Sequence, residues 1–305
     1  MSFDLFFCWQ RPEHIDFGAV CSWARVLTCF EQKENQLWYG NEDTGVYFSL
    51  DFGGKPAEDR EGPVIPQGYL DTGLSFNLNF NRPSYFGYEA MPIVENLAAE
   101  FGLSVFDPQA RDSDHLLVRD VKSEDLLKSW LENNRNAILT MVEHAGLATP
   151  IEMPRSKSMY RWRYSRSKKH LQTICGKDIF VPTLSPVRRT GSNRAELAFV
   201  CTQGIPCLMP ASDWVFIVRE RKAHFWSGKE REVGVVSRRK FRDLVAGPLE
   251  PFDSDLSLDL LPPKLTADVA RVLHTCEFEF PREEFEVLAL DGFVDIEVGH
   301  NAVPN

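Results

Sequence analysis

LSFNLNFNRP, residues 74–83, sets Leu74, Phe76, Leu78 and Phe80 on one side of an extended chain and Ser75, Asn77, Asn79 and Asn81 on the other. A period of two is the mark of a strand that buries one face and leaves the other to water. The sheet that contains it is therefore packed on one side only.

The same alternation recurs on either side. FDLFFCW (3–9) opposes Phe3, Leu5, Phe7 and Trp9 to Asp4, Phe6 and Cys8, and TGVYFSLDFGG (44–54) opposes Val46, Phe48, Leu50 and Phe52 to Tyr47, Ser49 and Asp51. LSVF (103–106) supplies a fourth strand. Between them, Asp16 can cap a helix with the stripe Val20, Trp23, Ala24 and Leu27. Pro92 suits the first turn of a second helix, whose stripe is Ile93, Val94, Leu97, Ala98 and Phe101 and which Gly102 ends. The order βαββαβ predicts a ferredoxin-like two-layer sandwich with both helices on one sheet face. RPSYFGYEAMP (82–92) reads as an aromatic loop leading into the second helix.

Ser123 opens a longer helix with Leu126, Leu127, Trp130, Leu131, Ile138 and Val142 as its apolar stripe, ended by Gly146 and Pro150. The expected organisation is a ferredoxin-like α+β domain over 1–150 and a second α+β domain over 151–305. The latter is built from the short runs DIFVP, ELAFVC, PCLMP, WVFIVRE and VGVVS, with helices after Ser237 and at TADVARVLHT. DSDLSLDLLPP (253–263) reads as an acidic loop. In YRWRYSRSKKH (160–170), Trp162 and Tyr164 alternate with Arg161 and Arg163, which reads as a half-buried strand edge and connector.

Charge divides the chain more sharply than composition does. Residues 1–152 hold 11 Lys+Arg against 24 Asp+Glu (−13), residues 153–247 hold 20 against 7 (+13), and residues 248–305 hold 3 against 13 (−10), giving the net −10. Opposite zones in one chain suggest charges that meet within the molecule or along a partner. The open sheet face offers mainly Asp4, Ser49, Asp51, Asn77 and Asn79, with Phe6 and Tyr47. RNA-recognition sheets need positive charge beside their aromatics, so this face argues against one.

No leader-like segment or bilayer-length apolar run is present, which predicts a cytoplasmic protein without a membrane partner. Seven cysteines without a C-x-x-C pair indicate reduced thiols. There is no G-x-S-x-G, H-E-x-x-H or phosphate-loop pattern, and the seven histidines lack metal-ligand spacing. No catalytic residue, cofactor or metal is expected.

MSFDLFFCW (1–9), NEDTGVYFSLDF (41–52) and LSFNLNFNRPSYFGYEAMPIVENLAAEFGLSVFDPQ (74–109) resemble the immunity proteins encoded beside bacterial polymorphic toxins, in particular type VI secretion immunity proteins paired with nuclease effectors. The resemblance implies an inhibitor of a cognate nuclease toxin without activity of its own, and transfers no individual functional residue. Charge gives it separate support, because a nuclease cleft that attracts phosphate also attracts an acidic face. The candidate contacts are Glu42, Asp43, Asp51, Asp59 and Glu61, with Tyr85 and Tyr88 as aromatic anchors. The competing readings are a nucleic-acid binder using the basic segment 155–170 and an enzyme without a familiar motif.

Overall fold

Residues 74–79 of the alternating stretch lie in β5 (Leu70–Asn79), which pairs antiparallel with β1 (Ser2–Trp9) so that Phe76 opposes Leu5 and Leu78 opposes Phe3. The computed structural model describes residues 1–10, 15–53, 65–110, 117–144, 150–222, 229–245, 247 and 249–296. The chain is mixed α+β and clusters into two units, Met1–Thr149 with Ile296–Asn305, and Pro150–Asp295.

In the first unit, α1 (Phe17–Val26) follows β1, with Asp16 accepting from the Gly18 amide at 2.9 Å as its cap. The chain continues through β2 (Phe30–Lys33), β3 (Gln36–Asn41), β4 (Val46–Phe52), β5, α2 (Tyr85–Phe101), β6 (Ser104–Phe106), β7 (Leu117–Val118) and α3 (Ser123–His144). The strands form one antiparallel sheet in the order β2-β3-β4-β5-β1-β6-β7. Phe3, Leu5, Phe7, Leu37, Phe48, Leu50, Phe76, Leu78 and Val105 are buried on one face. Burying that apolar layer is a main favourable contribution to folding.

Two features depart from the sequence expectation. The hairpin β2–β3 enters the sheet between α1 and β4; its segment FEQKENQLWYGN is too polar to show alternation beyond Leu37 and Tyr39. The second helix starts at Tyr85, seven residues before Pro92, so the expected aromatic loop is its first two turns. Burial of Tyr85, Phe86, Ala90, Met91, Val94 and Leu97 outweighs the proline's lost amide, and Pro92 lies on the exposed side. Gly87 permits close packing of α2 on α3: an added Cβ would lie 2.6 Å from Trp130. Asn134 of α3 accepts from the Asn81 amide and donates to the Arg82 carbonyl, both at 2.8 Å, which ties α3 to the β5–α2 turn.

The second unit corrects the reading of the basic segment. Residues 160–170 lie within α4 (Arg155–Cys175), not in a strand edge. Ser158, Arg161, Trp162, Tyr164, Ser165 and Leu171 are buried, and because two serines and an arginine share that face with the two aromatics and the leucine, the apolar periodicity of the helix is weak. The alternation of Trp162 and Tyr164 with arginines is coincidental.

After α4 come β8 (Ser185–Arg189), β9 (Ala195–Thr202), β10 (Cys207–Met209), β11 (Trp214–Lys222), β12 (Lys229–Ser237), α5 (Arg238–Val245), β13 (Glu250–Asp253), β14 (Leu258–Leu261), α6 (Thr266–Thr275), β15 (Phe280–Pro281) and β16 (Phe285–Val287). Six strands form the sheet β15-β12-β11-β9-β8-β16, in which β9 and β11 run parallel, and three form β10-β14-β13. The segment read as an acidic loop thus contains β14. Basic and acidic zones meet here, through Arg189–Glu284 at 2.9 Å, Arg238–Asp259 at 3.1 Å and Arg188–Glu286.

Candidate functional site

The inserted hairpin and β4 build a distinctive patch on the open face of the first sheet. Glu31 and Lys33 of β2, Gln36, Trp38 and Gly40 of β3, and Tyr47, Ser49 and Asp51 of β4 share that face. Gly40 sits directly opposite Tyr47, so no side chain at 40 stands between Tyr47 and Trp38. Their rings are near-parallel, 14° apart with centroids at 5.8 Å. Arg82 stands 5.4 Å over the Tyr47 ring and donates to its hydroxyl. Beside the aromatic pair runs an open groove of about 580 Å³, lined among others by Cys29, Glu31, Trp38, Gly40, Glu42 and Tyr47.

The tip of the β3–β4 hairpin is held by a buried carboxylate. Glu89 of α2 is 7 % exposed, and its Oε1 accepts from the Tyr39 hydroxyl at 2.8 Å, Asn41 Nδ2 at 2.7 Å and Thr44 Oγ1 at 3.0 Å. Burial, and then the adjacent Glu89 charge, push the Tyr39 hydroxyl well above the ordinary phenol range, so it stays a donor. Asn41 Oδ1 accepts from the Asp43 amide at 3.1 Å, closing an Asx turn that orders the tip. A fixed tip presents its acidic groups at low entropic cost to a partner.

The expected contacts fall into three groups. Glu42 is exposed and Asp43 half-buried at the tip. Asp51 lies at the far end of β4, where it accepts from Ser49 Oγ at 2.9 Å and from Gln36. These three belong to the hairpin or to its open face. Tyr85 is fully buried against Phe86, with ring centroids 5.4 Å apart, so the expected role as a contact aromatic is corrected: its ring is core. Tyr88, half-buried, lies on α2. Asp59 and Glu61 lie outside the described residues.

Sequence reasoning missed Trp38 and Glu89. The only signal for Trp38 was a large aromatic two residues before a glycine, and a buried glutamate has no local signature.

In α4, Arg163, Arg166 and Lys169 are exposed, Arg166 stacks 5.0 Å over Trp162, and Arg161 is fully buried. Among the described residues, no three or more His, Cys, Asp or Glu side chains gather to hold a metal ion, and no helix is long and apolar enough to cross a membrane. No family model, curated protein or solved structure matches the chain. The chemistry of the hairpin face therefore carries the functional argument.

Proposed function

We propose that this chain is a non-catalytic immunity protein that binds and neutralises a cognate nuclease toxin delivered by a type VI secretion system, acting in the cytoplasm. The observation that carries the reading is the hairpin face: an aromatic pair in a groove, with carboxylates around it and a tip locked from beneath by Glu89. Tryptophan, tyrosine and arginine concentrate in the energetic centres of protein interfaces. The −13 charge of residues 1–152 would steer a basic partner and repel nucleic acid. The strand order β4-β5-β1-β6, with α1 and α2 in the connections, supports a ferredoxin-like reading of the first unit in which β2–β3 is an insertion.

Co-expression with the toxin encoded beside the gene is the test. Protection of the cells with a stoichiometric complex is expected; neither protection nor a complex would refute the function. The exposed Arg163, Arg166 and Lys169 favour nucleic-acid binding as the second reading, which salt-sensitive retention of the protein on single-stranded DNA would raise above the first.

A further inference from the structure

We infer that the groove above Gly40 is a receptor for an arginine side chain of the protein partner. This rests on the reading of the hairpin face as a partner contact and specifies what that face grips.

The floor comes first. Gly40 is exposed and contributes no side chain, so the groove beside the stacked Trp38 and Tyr47 rings reaches down to the strand backbone. Its amide donates to the Cys29 carbonyl at 2.9 Å, so the floor is ordinary ladder. The backbone at Gly40 is also outside the left-handed region, and an added Cβ would meet only Trp38, at 3.6 Å from Nε1. The glycine is therefore not required by backbone strain or a clash at Cβ. What its absent side chain leaves is the groove.

The walls and rim define the occupant. A flat cation is the group that gains from both an aromatic face and a carboxylate, and guanidinium does so better than ammonium because it is planar and weakly hydrated. Glu31 and Glu42 line the groove together with one cation, Lys33. Glu42 makes no ion pair among the described residues, and Glu31 is held only loosely, by Lys33 at 3.8 Å with both side chains largely exposed. The Lys33 ammonium stands 6.0 Å from the Trp38 ring, at the outer limit of attraction. The face already uses this chemistry once, with Arg82 over Tyr47. Trp38 and the two carboxylates offer it a second time to an incoming group.

The test is a titration of the ¹⁵N-labelled full chain with acetyl-Gly-Arg-Gly-amide, following the Trp38 indole N–H, assigned through Trp38→Phe. The expected result is a saturable shift at millimolar peptide. It should weaken at least threefold in Glu31→Gln/Glu42→Gln and vanish in Gly40→Val, with the other indole signals unchanged as proof of folding. The same peptide carrying citrulline, an uncharged isostere, should give no shift. Lack of saturation, an equal response to citrulline, or an undiminished response in folded Gly40→Val would overturn the inference. The two readings fail separately. A toxin complex that needs Trp38 while the peptide does not bind leaves the function standing and removes the arginine; peptide binding without any toxin complex removes the function and keeps the groove.

Discussion

Tyr39 and Glu89, fifty residues apart, are joined by a 2.8 Å hydrogen bond in which both side chains are buried. The bond links strand β3 to helix α2, and the same oxygen gathers Asn41 and Thr44, so one carboxylate organises the hairpin. Glu89→Ala removes the acceptor that three donors share and is expected to cost about 3 kcal/mol or more, whereas Tyr39→Phe, which removes one donor, should cost about 1–2 kcal/mol. Urea denaturation measures both, and hydrogen exchange should quicken at residues 41–46 first. A Glu89→Ala variant as stable as wild type would show that the knot does not hold the tip.

The junction of α2 and α3 gives a pH signature. Hydrogen bonds from Ser123, including its amide at 3.0 Å, hold the Glu95 carboxyl below its ordinary value. A carboxylate depressed in the folded state contributes stability that is present above the unfolded value, about 4.3, and lost as pH falls through the folded one. Asp107 has the opposite sign: burial raises it, so its contribution is full below the unfolded value and lost as pH rises through the folded one. Stability curves from pH 2 to 7 should therefore lose acid sensitivity in Glu95→Gln and gain it in Asp107→Asn. Identical curves for the two variants would contradict the assignment.

The elements that were legible in the sequence are those whose burial repeats along the chain. Leu74, Phe76 and Leu78 announce β5 because one sheet face is dry and the other wet, and the same holds for β1 and β4. The buried face of α4 was hidden because Ser158, Arg161 and Ser165, polar residues buried by long-range context, interrupt Trp162, Tyr164 and Leu171. Pro92 misled because the rule for proline at helix starts is local, while the burial of Tyr85 and Phe86 is not. At the candidate site the acidic tip was readable from Glu42 and Asp43. The groove was not, since it arises from Trp38, Gly40 and Tyr47 across two paired strands.

Gly87 tests the packing of α2 on α3. Its missing Cβ would approach the ring of Trp130, which is fully buried, at 2.6 Å and the Leu127 Cδ1 methyl at 2.9 Å. Gly87→Ala gains helix propensity, yet overpacking should dominate with a net loss of about 1–3 kcal/mol. Thermal denaturation reports the loss; a stabilised variant would mean that Trp130 relaxes freely.

Arg161 and Arg163 should behave differently although two residues apart. Arg161 is fully buried, so Arg161→Gln should destabilise the second unit, whereas Arg163→Gln with Arg166→Gln and Lys169→Gln changes only exposed positions. If nucleic acid is not the partner, the triple variant should match wild type both in stability, within about 0.5 kcal/mol, and in its weak retention on DNA at physiological salt. Low-micromolar binding lost in the triple variant would move the function to α4.

The sharpest separation is between the centre and the rim of the hairpin face. Trp38 is half-buried in the free protein and packed on Tyr47, a pre-ordered ring that gives up little freedom on binding. Trp38→Ala should weaken the toxin complex by about 2 kcal/mol or more, almost all of it as faster dissociation. Glu42 is exposed at the tip, where a charge steers encounter more than it holds the complex, so Glu42→Lys should slow association and alter its salt dependence while dissociation changes little. Tyr85→Phe, a change in the core, should leave both rates as they are provided the protein is folded. Surface-immobilised toxin with each folded variant in solution resolves the two rates. If Trp38→Ala and Glu42→Lys both bind with wild-type kinetics, the hairpin face is not the contact, and the interface must lie elsewhere on the chain.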